Sequence, residues 1–577
     1  MTYRGEPNNE ITPLANSGFI YDSIRNEDLD ESEVITYIQN RRASIASCGT
    51  DKIPSSLILS QGGGIRPHID RGNDDMITTS RSNASFVGDV LSHASGLLAE
   101  PETDIKTEVK VLFEYSIPLV ITFLLQYSLT VASVFSVGRL GSKELAAVSL
   151  SSMTANISGY AIIQGVSTCL DTLCAQSYGR KEFNAVGVHF FKCNYLLFLL
   201  CVPMFLLWVF GSKPILLMII GNEKEQLCTL ASQYLQVLSL GLPAFILFEN
   251  GKHFLQAQGI FHASTYVLAI CAPLNAYLNY LLVWNTSIGM GFIGAPISVS
   301  ITNWLMCILL YLYIWQVKGN ECWPNGNLFS PIFFRNWTRM INLSIPGVLM
   351  VEAEWLAFEI ITFTASKFGT DVLAAQSIVS TTCVLLYQIP FAISIAISTR
   401  VAWYIGAAAK KPAKAATTVA IYISLLLGLV NGSFLFCFRD TLASLYTNDS
   451  HVIKLTSKVL VVASVYQIND FLSCSTGGIL RGQGRQKIGG ILNLISYYCI
   501  ALPCAFTFAF YFKLELVGLW LGMIIALFFV STLQYYFVLT SDWDYIISEC
   551  ISESVFDDGF ITDVHSIVPS MSSSRFA

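Results

Sequence analysis

From Val111 to about residue 540 the chain is a succession of apolar stretches separated by short polar breaks. Stretches of this kind are long enough to cross the roughly 30 Å hydrocarbon core of a bilayer as helices. They predict helices at about 111–134, 145–170, 186–210, 229–251, 264–284 and 291–316, then a polar loop from Lys318 to Arg339. Six more are expected at about 341–366, 372–399, 415–437, 453–476, 488–511 and 516–540. The pattern is that of an all-α integral membrane protein with twelve transmembrane helices.

The two sets of six read as copies of each other. Placing Ile117-Pro118 on Ile345-Pro346 puts Gly141–Leu150 (GSKELAAVSL) on Gly369–Ile378 (GTDVLAAQSI) at the same offset of 228. Further along, Gln258-Gly259 falls on Gln483-Gly484 at an offset of 225. Helices that need only be apolar have no reason to keep such matches, so two homologous six-helix lobes are expected, 109–317 and 341–541, with 318–340 as the loop between them. Six is even, so both lobes enter the membrane from one side and are related by an axis along its normal, the layout of a carrier with a cleft between lobes.

Composition adds the flanks. Of 577 residues 53% are hydrophobic and 13% charged. Residues 1–108 hold 17 acids and 9 bases, residues 542–577 hold 7 and 1, and the span between holds 16 and 24. The first segment, rich in Ser, Asn, Asp and Gly, cannot bury enough apolar surface to fold and is expected to be a disordered acidic cytosolic tail; the second is read as an acidic cytosolic C-tail. The RRAS stretch makes Ser44 a candidate phosphorylation site. No basic stripe points to nucleic acid. Lysines and arginines in the breaks after even-numbered helices outnumber those after odd-numbered ones, 13 to 8, which places both tails in the cytosol and the Asn285 and Asn448 sequons on the opposite side.

Most of the 15 cysteines fall singly in apolar runs and read as small hydrophobic fillers. With no CxxC pair and scattered histidines, neither a metal centre nor the convergent nucleophile of an intramembrane enzyme is legible, so no catalytic or metal-binding residue is assigned. Acids at membrane depth are the exception, because each costs several kcal/mol (~2.5–3.5 on insertion scales) and needs a reason to be there. Glu352, Glu354, Glu359 and Asp470 are placed inside helices. At about 100° per residue Glu352 and Glu359 share a face, while Glu354 points roughly 160° from Glu352. Glu354, Glu359 and Asp470 are expected to line the second lobe and exchange protons, burial and like-charge crowding easing their protonation. Trp355, Phe358 and Tyr387 offer aromatic faces to an organic cation, and Gln126 and Asn156 are candidate polar groups of the first lobe.

Three stretches, EWLAFE from Glu354, TCLDTLCAQSYG from Thr168 and GGILRGQGRQKIGG from Gly477, resemble the multidrug and toxic compound extrusion (MATE) family over about residues 111–540. The likeness is to its eukaryotic branch, and the acidic N-terminal tail is similar to that of fungal members such as the yeast ethionine-resistance protein. The resemblance implies a MATE-type fold and an antiporter that expels small organic solutes, usually cations, against protons or sodium. It also implies that Glu354, Glu359 and Asp470 occupy the positions of cation coupling and recognition. Thr381 stands where some animal members carry a further glutamate, and Gln126 lies where prokaryotic members carry a proton-binding aspartate, so coupling through the first lobe is not expected. Asp171 is expected near a helix end, tied to backbone or loop. A monomer with the coupling ion, proton or sodium, as its only cofactor is expected, in the vacuolar membrane in preference to the plasma membrane. A solute sensor on a carrier fold and a major-facilitator transporter are the competing readings.

Overall fold

The computed structural model describes residues 103–221, 224–285, 288–324 and 330–551; Ser44, nearly all of the N-terminal tail and the chain beyond 551 lie outside them. Twelve helical rods follow one another. They are α1 (Ile105–Gly138), α2 (Ser142–Ala155, a π-helical turn Asn156–Tyr160, then Ala161–Gly179), α3 (Phe183–Ile220), α4 (Glu225–Ala257), α5 (Ala263–Trp284) and α6 (Gly291–Gln316). After the connecting segment come α7 (Thr338–Ala365), α8 (Thr370–Gly406), α9 (Lys410–Tyr446), α10 (Ser450–Gly482), α11 (Gln486–Tyr511) and α12 (Glu515–Leu539). Among the described residues nine of these are long and apolar enough to cross a membrane. The three that fall short, α2, α7 and α10, carry Asp171, Glu354 and Asp470 among the polar side chains described below.

Each set of six buries its own apolar core. The first core runs through Ile163, Phe190, Phe248 and Leu268, the second through Ala357, Val459, Tyr497 and Trp520. The matched sequence pairs land on matched geometry. Gly259 after α4 and Gly484 after α10 take φ +78° and +75°. The following amides close the same turn, Ile260 N to Leu255 O and Arg485 N to Leu480 O at 2.9 and 2.8 Å. This is the left-handed glycine stop that a helix end favours.

Several helices outrun their apolar stretches. Lys252, Arg400 and Arg481, expected in loops, lie inside α4, α8 and α10. Asp171, expected near a helix end, is buried well inside α2. Glu108, assigned to the tail, is in the first turns of α1 and buried. In each case hydropathy ends where charge begins, whereas the charged groups here are paired within the protein and the helix continues. The connecting segment, expected as a plain polar loop, is fastened to α3: Trp323 packs on Phe190 and Phe191, Phe333 on Phe191, and Phe334 on Tyr195.

The lobes meet mainly along α2 and α7. Gly165 and Gly347 face each other there; a Cβ on Gly165 would come within 2.4 Å of the Val348 Cα, and one on Gly347 within 2.4 Å of the Gly165 carbonyl. Further contacts gather at the end of the bundle where α1 begins. Thr172 Oγ1 donates to Arg481 O (2.6 Å), Gln176 Nε2 to Gly482 O (3.1 Å) and Gln486 Nε2 to Thr168 O (3.2 Å). Trp403 Nε1 donates to Ala257 O (2.8 Å), and Arg400 holds both oxygens of Glu108 at 3.1 and 2.8 Å. In this structure the cleft is therefore closed at the end where the chain enters. Of the described residues, 406–410 and 542–551 belong to a second unit; within it Lys410 pairs with Asp544, and residues 543–551, expected as tail, are helical.

Two outcomes follow for this interface. Gly165→Ala should cost about 1–3 kcal/mol of stability in the closed arrangement, since backbone rather than a movable side chain opposes the new methyl, and should lower the thermal unfolding midpoint in detergent. Arg400→Met should cost up to about 3 kcal/mol by stranding Glu108, and the double variant with Glu108→Gln should recover part of that loss in the same assay.

Candidate functional site

Glu354 on α7 and Asp470 on α10 lie within electrostatic reach of each other inside the second lobe. Tyr466, four residues before Asp470 on the same helix, donates to Glu354 Oε1 at 3.3 Å, and Tyr497 from α11 lies beside this carboxyl. Tyr497 sits in a π-helical segment, Ile495–Ala501, whose widened turn re-aims the side chains that follow it. Cys474 Sγ stands 3.7 Å from Asp470 Oδ1, while Asp470 Oδ2 is buried without a hydrogen-bond partner among the described residues. Tyr387 on α8, stacked on Phe391 at 5.6 Å, lies within electrostatic reach of both acids and of Arg481. One turn away Asn431 Nδ2 donates to Gln467 Oε1 at 3.0 Å, extending the polar interior to α9.

The remaining sequence candidates divide. Glu359 is half-buried and, among the described residues, makes no hydrogen bond; on a helix it is turned by about 140° from Glu354, so the structure brings two of the three expected acids together and not the third. Glu352 has a buried oxygen with no partner and lies near Tyr498. Phe358 packs edge-on against Tyr466 and Trp520, both just under 6 Å away (5.9 and 5.8 Å), and serves the core. Trp355 and Thr381 are half-buried, and Asn156 opens the π-helical turn of α2. The tyrosines Tyr466 and Tyr497 escape a search for acids, although the spacing of four between Tyr466 and Asp470 puts both on one helix face.

The first lobe holds a buried charge network that a count of membrane-depth acids missed. On α4, Lys252 Nζ pairs with Glu249 Oε1 at 2.6 Å, sits 4.7 Å above the Phe123 ring and reaches Gln126 Oε1 at 3.4 Å. His253 Nδ1 is 2.6 Å from Asp171 Oδ1 on α2, and its Nε2 is 3.9 Å from Glu249. An ionised carboxylate only accepts, so Nδ1 carries the hydrogen. The other oxygen of Asp171 faces Arg481 Nε of the second lobe at 3.8 Å. Asp171 is thus held by a histidine and an arginine, not by backbone or loop as expected. Gln126 occupies the place in α1 that Glu354 occupies in α7, at the repeat offset of 228. Among the described residues no cluster of three potential metal ligands forms.

The comparisons with known proteins agree with this architecture. The family model MatE matches residues 118–281 and again 346–507, one match in each lobe, and the two begin 228 residues apart. An uncharacterized transporter of Saccharomyces cerevisiae is 43% identical over 82% of this chain and 68% of its own, and one of Schizosaccharomyces pombe is 40% identical over 79% and 84%. Multidrug and toxin extrusion protein 2 of Mus musculus is 29% identical over 78% and 77%. The crystal structure of the eukaryotic MATE transporter AtDTX14 superposes with a TM-score of 0.73 at 26% identity, over 78% of this chain and 99% of that one. With the same family model found once in each six-helix lobe and the whole membrane core shared with such relatives, the chain belongs to the MATE family of multi-pass membrane transporters.

Proposed function

We propose that the protein is a secondary antiporter that exports small organic solutes, chiefly cations, in exchange for protons. The observation that carries this reading is the Glu354–Asp470 pair: two mutually repelling acids in an apolar lobe, one with a buried oxygen lacking any partner among the described residues. A site of that composition binds either protons or an organic cation, and the two are exclusive. Ionised, the pair attracts a cation, which Tyr387, Tyr466 and Tyr497 can face with their rings. Protonated, it loses both the attraction and the internal repulsion, so a cation leaves where protons enter. Lobes related by an axis along the membrane normal alternate access by rocking about the cleft, and the closed end described above supplies one of the two positions. Sodium in place of the proton is the nearest variant, and Glu359 is assigned an accessory part at the edge of the same lobe.

Both tails in the cytosol, a monomer and the vacuolar membrane complete the proposal; orientation rests on the basic residues of the breaks after even helices, a reading that Lys252, Arg400 and Arg481 no longer support because they lie inside helices. Membership of the MATE family removes the major-facilitator reading. A solute sensor on this fold remains the alternative, and flux separates the two.

In proteoliposomes with an imposed pH gradient the wild type should move an organic cation probe against the proton flow. Glu354→Gln and Asp470→Asn should each reduce that flux to background while the protein still inserts, because the amide keeps size and hydrogen bonding but cannot titrate. Glu352→Gln should be milder. Wild-type flux in either of the first two variants would remove the coupling role. Deleting residues 1–100 should leave flux nearly unchanged, measured in the same vesicles.

A further inference from the structure

Arg481 stands between the two lobes' polar interiors. It belongs to α10 of the second lobe, where Nη2 donates to Ser394 Oγ at 2.8 Å and the guanidinium acts on Tyr387 and Cys474 beside the acid pair. Its Nε, buried and without a hydrogen bond among the described residues, faces at 3.8 Å the Oδ2 of Asp171 in the first lobe, which likewise has no hydrogen-bond partner among them. Across the closed end this is a countercharge lent by one lobe to the other.

Charge balance then has a consequence. The cluster around α4 contains Asp171 and Glu249 as acids, Lys252 and the borrowed Arg481 as bases, and His253 between the two carboxylates. With a neutral imidazole these charges cancel. Among the described residues, the groups seen against this stretch are Cys174 from α2, Cys193 and Asn194 from α3 against Asn250, Tyr311 from α6 against Gly251, and Gln126 and Phe123 from α1 against Lys252; α3 also buries His189 and Lys192. When the lobes part at this end, Arg481 leaves with α10, and the first lobe keeps two buried acids against one base. An unbalanced buried charge is costly, and the imidazole is already in place to accept a proton.

We infer that His253 is a second proton-binding site, in the first lobe, which takes up one proton as the lobes separate at the chain-entry end and releases it as Arg481 returns to Asp171. The proton adds at Nε2, the nitrogen turned towards Glu249, giving an imidazolium held by Asp171 on one side and Glu249 on the other. Lower pH on that side therefore favours the open arrangement, independently of the acid pair in the second lobe. The inference uses the rocking-lobe reading of the transport cycle but not the assignment of Glu354 and Asp470 as its coupling residues.

The test is a distance measurement between spin labels at Asn184 and Lys414, both exposed beside this end on opposite lobes, in the full chain reconstituted without substrate. Between about pH 8 and about pH 5.5 the wild type should shift from the short to the long distance by about threefold or more in population. Asp470→Asn should retain such a shift. His253→Gln should abolish it, and so should Arg481→Gln, which leaves the imidazole without a competitor in both arrangements. Monodispersity and the unfolding midpoint identify a variant that has failed to fold, in which case the other variant decides. A pH shift that survives in folded His253→Gln or Arg481→Gln would overturn the inference. A single distance at every pH, in the wild type and also when the organic cation probe is added, would instead overturn the rocking reading on which it stands.

Discussion

An ionised side chain taken out of water loses several kcal/mol unless a partner replaces the solvent, and that constraint organises the interior of this transporter. The long helices can carry charge past their apolar stretches because nearly every buried charge has been given its opposite: Glu108 has Arg400 and Tyr404, Glu249 has Lys252, Asp171 has His253 and Arg481. Against this background the Glu354–Asp470 pair stands out, since its immediate neighbours are tyrosines, a cysteine and another acid. A fold that matches its charges elsewhere leaves an acid imbalance at one point, and the proposed exchange of cation for proton rests on it.

The repeat makes the same contrast in another way. The first and fourth helices of each lobe bring a polar pair together, Gln126 with Lys252 in one and Glu354 with Asp470 in the other. One pair is neutral with positive and balanced by Glu249; the other is acid with acid. Duplicated scaffolds have thus kept their glycine stops, at Gly259 and Gly484, and the turn hydrogen bonds after them, while their interiors have taken opposite electrostatic characters.

Much of this was legible in the chain. Twelve helices, two lobes and the offset of 228 could be read because apolar length and repeated turn residues are local properties. Glu354 and Asp470 could be found because an acid inside an apolar run is conspicuous. What could not be read were charges whose partners are distant in sequence. By sequence alone Lys252 reads as a loop residue, because lysine ends an apolar stretch; its contacts with Glu249 and Phe123 show why the helix continues. His253 needs Asp171, 82 residues away, before it has any meaning. Glu359 shows the converse: proximity in sequence to Glu354 suggested one site, but half-turns of helix separate them.

The aromatic fastening of the connecting segment sets a mechanical limit. Trp323, Phe333 and Phe334 bind that segment to α3, and Trp337 Nε1 donates to Phe333 O at 2.8 Å just before α7 begins. The covalent link from Phe334 to the start of α7 is the three residues Arg335, Asn336 and Trp337, which span at most about 10 Å at roughly 3.5 Å per residue. Near that corner the lobes behave as two plates on a short leash: they can tilt apart, with the widest opening far from the tether, but they cannot slide past each other.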